Sequence, residues 1–244
     1  MNDAPMLKRV TELLRWIVNL DVAVLVGACV VVVSSYVLVK TIDEVVEGET
    51  DWFDHRVMEW AASLHLRPAV TDAVRDVTAL GGVTVLTLMT TAVATYLLVR
   101  RRWQAAMLLL INAVGAVIAS GLMKHYFERD RPHFAEHGAY TYTSSFPSGH
   151  SMLSTTMYLT LAVLLARLEK SRWLRVYFVC AALLLAFLVG VSRVLLGVHW
   201  PTDVLAGWSA GVLWATIGWF VVRYLQRRGA VERSADPGDY PATD

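Results

Sequence analysis

The sequence predicts an all-α integral membrane protein, a bundle of six transmembrane helices with interfacial helices at the N-terminus and in the first loop. Three observations carry this. Hydrophobic residues make up 56% of the 244-residue chain and charged residues 18%, against about 45–50% and about 25% in a soluble domain. The mean hydropathy is +0.47. The apolar residues also gather into charge-free runs of about the length a crossing needs, set apart by short polar turns.

The elements follow in order. In residues 1–20, Met6, Val10, Leu13, Leu14, Ile17 and Val18 recur at helical spacing, while Lys8, Arg9, Glu12 and Arg15 fall largely elsewhere around the helix. This predicts an amphipathic helix lying on the cytoplasmic membrane surface. The first uncharged run is Val22–Val39. No small-residue cleavage site follows it, so it reads as an uncleaved anchor. Residues 40–76 are polar and acidic, with a short apolar stripe of Phe53, Val57, Trp60, Ala61 and Leu64. With Trp52, that stripe predicts a second interfacial helix in the aromatic belt.

Val77–Val99 and Trp103–Met123, separated by Arg100, Arg101 and Arg102, predict a helical hairpin. After a polar loop over 124–150, the runs Ser151–Ala166, Val176–Ser192 and Val204–Val222 complete six spans. The membrane domain is thus expected over 21–228. The remainder, 229–244, holds Asp236, Pro237, Gly238 and Pro241 and is expected to be a disordered cytoplasmic tail.

Lysine and arginine set the orientation. Lys8, Arg9 and Arg15, then Arg100–Arg102, then Arg167, Lys170, Arg172 and Arg175, then Arg223, Arg227 and Arg228 fall on one side. The positive-inside rule makes that side cytoplasmic and places both termini there. The expected location is the plasma or inner membrane. A net charge of +1 argues against a nucleic-acid partner. Cys29 and Cys180 lie inside apolar runs and read as packed thiols without a disulfide. The oligomeric state stays open.

Three polar clusters stand out. They are Lys124 with Arg131-Pro132, Pro147-Ser148-Gly149-His150, and Ser192-Arg193 with His199 and Asp203. The predicted topology puts all three at the extracytoplasmic face. Lys124, Arg131 and Arg193 supply three positive charges, and guanidinium groups match phosphate oxygens two at a time. Gly149 lets backbone N–H groups approach an anion at a helix start, and Ser148 adds a hydroxyl. His199 and Asp203 are four apart around Pro201, which suits the first turn of a helix. A carboxylate there holds one imidazole nitrogen and leaves the other to attack phosphorus. His150 is then the general acid.

These residues, with six between Lys124 and Arg131 and five between Arg193 and His199, resemble the tripartite signature of the type-2 phosphatidic acid phosphatase superfamily, which shares its site with vanadium haloperoxidases. The six spans resemble its bacterial membrane branch. The resemblance implies a hydrolase of lipid phosphates or diphosphates at the outer leaflet, with no metal and no cofactor. It implies His199 as the nucleophile that becomes a phosphohistidine, Asp203 as its orienting partner and His150 as the acid. It implies Lys124, Arg131, Ser148, Gly149 and Arg193 as the phosphate-binding residues. Arg129 is expected to support Arg131. Undecaprenyl diphosphate is ranked first as substrate, ahead of phosphatidic acid and phosphatidylglycerophosphate. Alternatives are a lipid transporter or binding protein, and a vanadate-dependent oxidant of halide.

Overall fold

The computed structural model describes residues 22–132 and 144–227; the expected surface helix over 1–20 and the tail over 229–244 lie outside them. Eight helices make up the described chain. They are α1 (Val22–Glu47), α2 (Asp51–Ser63), α3 (Pro68–Ala79), α4 (Val83–Val99), α5 (Trp103–Phe127), α6 (Gly149–Leu168), α7 (Arg172–Leu195) and α8 (Pro201–Arg227).

Five of them, α1, α5, α6, α7 and α8, are long and apolar enough to cross a membrane. The stretch expected to form a continuous span over Val77–Val99 differs. There α3 and α4 meet the same length and hydropathy requirement only when taken together, as a pair bent by 43° at the break over residues 80–82. The break has a packing reason. Gly81 sits where an added Cβ would collide with Val189 of α7 and lie 3.3 Å from the His150 carbonyl oxygen. The Tyr158 hydroxyl donates to the Leu80 carbonyl at 2.8 Å and ties the break to α6.

Helix α1 runs eight residues past the expected end of the first span, and α3 occupies residues 68–76 of the expected loop together with the start of the next expected span. Helix α2 falls where the first-loop interfacial helix was expected, and Trp52, Phe53 and Trp60 are exposed on it. Both cysteines are free and face outward.

The bundle is built around α6, which packs against α4, α5, α7 and α8. Its apolar partners include Leu86 and Ala94 of α4, Leu109 and Ala116 of α5, and Ala182 of α7. Along α8, Gly207 and Gly211 lie one turn apart and press on the start of α6. An added Cβ would stand 2.7 Å from the Ser148 carbonyl oxygen at the first and 2.7 Å from that of Met152 at the second. Small residues at this spacing let two helix backbones close on each other, which is how helices associate where lipid is as apolar as their side chains. The alternation of direction leaves the ends of α5 and α7 and the starts of α6 and α8 together at one end of the bundle. Helix α2 and the 80–82 break lie over that end.

Candidate active site

Each polar cluster is delivered by a helix terminus. Lys124 lies in the last turn of α5 and Arg193 in the last turn of α7. Both cations thus sit where the helix dipole is negative. Ser148 caps the N-terminus of α6, its Oγ accepting from the Ser151 N–H at 3.4 Å and from the Ser151 hydroxyl at 3.0 Å. Asp203 is in the first turn of α8, where the dipole is positive.

The three clusters meet. The Ser148 N–H donates to the Asp203 carbonyl at 2.9 Å, joining the second to the third. An added Cβ at Gly149 would lie 3.5 Å from Lys124 Cε, which sets the lysine beside the α6 N-terminus. Lys124 Nζ donates to the Ser144 carbonyl at 2.7 Å, just ahead of the second cluster. Arg131 Nη1 donates to the Val198 carbonyl at 2.9 Å. Lys124 is within electrostatic reach of Arg131, Arg193 and Asp203. His150 is within reach of Arg193, His199, Lys124 and Arg131. All eight residues expected to form the site therefore share one place.

His199 is held from both sides. Its Nδ1 lies 3.4 Å from Asp203 Oδ2, and its Nε2 lies 3.4 Å from Arg131 Nη1. If Nδ1 carries the proton toward Asp203, Nε2 presents its lone pair on the side of Arg131 and the other cations. The side chain is 2% exposed. Burial pushes its pKa down to about 4, with Asp203 acting in the opposite sense. The imidazole is thus neutral at neutral pH, the form that a nucleophile requires. Arg193 donates from Nη1 to Thr78 Oγ1 at 3.2 Å, and among the described residues its buried Nε has no hydrogen-bond partner. An unpaired buried donor is costly, and a phosphate oxygen would satisfy it.

Arg129 bridges two carboxylates, donating from Nη1 to Asp203 Oδ1 at 2.8 Å and from Nη2 to Asp54 Oδ2 at 2.7 Å. Thr202 joins in, its N–H donating to Asp54 Oδ1 at 3.1 Å and its hydroxyl to Asp54 Oδ2 at 2.6 Å. Asp54 and Thr202 were not singled out from sequence. The available signal was faint: Asp54 shares the buried face of α2 with Met58 and Ala61, at four- and three-residue steps. An acid on an apolar stripe needs a partner.

Within this cluster Lys124, Arg129, Arg131 and Arg193 stand against Asp54 and Asp203. The balance is positive, and three of the four cations lie around His150 and His199. A positive balance of this kind is complementary to a multiply charged anion. Among the described residues no group of three or more His, Cys, Asp or Glu side chains is arranged to hold a metal ion.

A sequence model of the PAP2 superfamily matches residues 104–227, the stretch that carries all three clusters. The chain is 35% identical over 158 residues to phosphatidylglycerophosphatase B of Bacillus subtilis, a match covering 63% of this chain and 75% of that one. It is 30% identical over 123 residues to the undecaprenyl-diphosphatase of Sulfolobus acidocaldarius, covering 48% and 55%. Among solved structures, a transmembrane PAP2-type phosphatidylglycerolphosphate phosphatase from Bacillus subtilis superposes with a TM-score of 0.69 at 26% identity. That match covers 82% of this chain and 98% of the other.

Proposed function

The chain belongs to the PAP2 superfamily and is a membrane lipid phosphatase, and from that premise we propose that it cleaves lipid phosphates or diphosphates through a phosphohistidine at His199. The observation that supports this most is the two-sided hold on the imidazole, Asp203 at Nδ1 and Arg131 at Nε2.

In the proposed reaction, Lys124, Arg131, Arg193, Ser148 and the N–H groups at Gly149 hold the phosphoryl oxygens. His199 Nε2 attacks phosphorus as the bond to the leaving oxygen breaks. His150 gives that oxygen a proton, so a lipid alcohol or monophosphate departs. His150 then takes a proton from water as the water oxygen attacks the phosphohistidine, releasing inorganic phosphate and restoring both imidazoles. The charge compensation that a divalent cation would otherwise give comes from the three cations. The site is assigned to the extracytoplasmic face and both termini to the cytoplasm, on the distribution of lysine and arginine. A headgroup at the outer leaflet then reaches the site without crossing the bilayer.

Undecaprenyl diphosphate is the substrate proposed from the sequence. The relative at 35% identity favours a second reading, phosphatidylglycerophosphate. The test is phosphate release from both lipids by the detergent-purified protein in EDTA, for wild type and for His199→Ala. Turnover without added metal, inhibition by vanadate and complete loss in His199→Ala are expected. Strict dependence on magnesium, or full turnover by His199→Ala, would overturn the mechanism. Turnover of phosphatidylglycerophosphate with none of the prenyl diphosphate would reverse the substrate order.

A further inference from the structure

We propose that Asp54, on the first-loop helix α2, is a positioning residue for the nucleophile, acting through Arg129 and Asp203. The inference rests on His199 being the attacking group, as proposed above. Asp54 lies before residues 104–227, outside the stretch that the superfamily model matches.

The observations form a closed chain of bonds. Asp54 is 1% exposed and Asp203 is 0% exposed. Asp54 accepts from Arg129 Nη2 at 2.7 Å, from the Thr202 hydroxyl at 2.6 Å and from the Thr202 N–H at 3.1 Å. Arg129 Nη1 donates to Asp203 Oδ1 at 2.8 Å and to Thr202 Oγ1 at 2.8 Å. The second oxygen of Asp203 accepts from the Trp200 N–H at 2.9 Å and faces His199 Nδ1 at 3.4 Å. Each arm of the Arg129 guanidinium thus holds one carboxylate, and each Asp203 oxygen has its own task.

This division matters chemically. A guanidinium facing Asp203 alone would compete with the imidazole for that carboxylate's charge and for its orientation. With Asp54 on its other arm, Arg129 is shared, and Asp203 is clamped at Oδ1 while Oδ2 stays turned to His199. Helix α2 grips the same loop a second time. The ring of His55 packs against that of Trp200 with centroids 4.9 Å apart, and the Arg129 guanidinium lies over Trp200 at 5.6 Å. A buried arginine stripped of one partner is left partly uncompensated, so the pose of Asp203 depends on Asp54. Misplacing a reacting group by about 1 Å costs on the order of 10²-fold in rate.

The test uses the full-length enzyme in detergent, with phosphatidylglycerophosphate and undecaprenyl diphosphate as probes. It reads kcat, KM and the single-turnover rate of enzyme phosphorylation for wild type, Asp54→Asn, Asp54→Glu, Arg129→Lys, Asp54→Asn with Arg129→Lys, and His199→Ala. Asp54→Asn is expected to lower kcat and the phosphorylation rate together by about 10²-fold. KM should stay within about threefold, because the phosphate cradle is untouched. Asp54→Glu should recover most of the lost rate. In the double variant, adding Asp54→Asn to Arg129→Lys should cost less than about threefold more, because the pair acts as a unit.

Wild-type kcat in folded Asp54→Asn would overturn the inference, and so would full additivity in the double variant. A loss seen only as fewer active molecules, each phosphorylated at the normal rate, would assign Asp54 to folding alone and also overturn it. If Asp54→Asn does not accumulate as folded protein, Arg129→Lys must itself show the kcat-only loss; an unchanged kcat there overturns the inference. Failure of the underlying mechanism is distinguishable, because it appears as turnover by His199→Ala or as a wild-type enzyme that never becomes phosphorylated.

Discussion

Helices α1 and α6 both cross the bundle, yet they are built on opposite terms. The most apolar stretch of α1 has 11% of its residues buried, whereas that of α6 has 56% buried. Helix α6 is also the less apolar of the two and carries Ser151, Ser154, Thr155, Thr156 and Thr160 inside the protein. The hydroxyls of Ser154, Thr155, Thr156 and Thr160 are spent on backbone carbonyls, as when Thr155 donates to Ser151 at 2.7 Å, and that of Ser151 on Ser148 Oγ. Helix α1 buries only a line of small residues seven apart, Gly27, Ser34 and Thr41, of which Gly27 meets the rings of Phe220 and Trp219 on α8. In a bilayer the greasiest helix belongs at the rim and the polar one in the middle, since polar groups need partners that lipid cannot supply. Chemistry therefore sits at the end of the helix that looks least like a membrane span.

That contrast is sharpened by substitutions graded from the site to the rim. Asp203→Asn, at the start of α8, removes the charge that orients His199 and should lower kcat by about 10³–10⁴-fold with the fold intact, as measured by phosphate release beside a thermal melt. Gly211→Leu drives a side chain into Met152 and Thr155 of α6. It should destabilise by about 1–3 kcal/mol and lower activity in step, seen as a reduced melting temperature. Acid sharpens the comparison again. Burial holds His199 near 4 instead of 6.5. The unfolded chain therefore gains a proton below pH 6.5 that the folded protein does not take up until about 4. The contribution to stability is whole above 6.5 and is lost as pH falls toward 4. The acid limb of kcat/KM that belongs to the nucleophile should likewise lie well below 6.5 in a pH-rate profile. At the rim, Ser34→Ala removes a hydroxyl bonded to its own helix at Val30 and Val31. It should change kcat hardly at all and stability by no more than about 0.5 kcal/mol. A large loss there would contradict the division between rim and centre.

The same contrast explains what was legible in the sequence. Charge-free runs marked the long apolar helices, and residue types at fixed spacing picked out Lys124, Arg131, His150, Arg193, His199 and Asp203, which the fold brings together at or beside helix ends, because both signals are local. The break at 80–82 was hidden, since Leu80, Gly81 and Gly82 interrupt no apolar run; what bends the chain is the approach of Val189 and His150 from other helices. Asp54 was hidden for a related reason. On α2 it is one acid among many in an acidic loop. Its partners Arg129 and Thr202 lie 75 and 148 positions along the chain. The carboxylate partners of Arg129 were hidden in the same way: proximity in sequence pointed to Arg131, while its charge is engaged by Asp54 and Asp203. The pairing of α6 with Gly207 and Gly211 likewise depends on which helices meet.

The central claim is that phosphate passes through His199 Nε2. Quenching the enzyme during turnover of a lipid carrying labelled phosphate, then mapping the acid-labile label by mass spectrometry, tests it directly. The account predicts label on His199 in the wild type, more of it at short times in His150→Ala if water attack is slowed beyond the first step, and none in His199→Ala. Label on another residue, or active wild-type enzyme that carries none at any time, would contradict it.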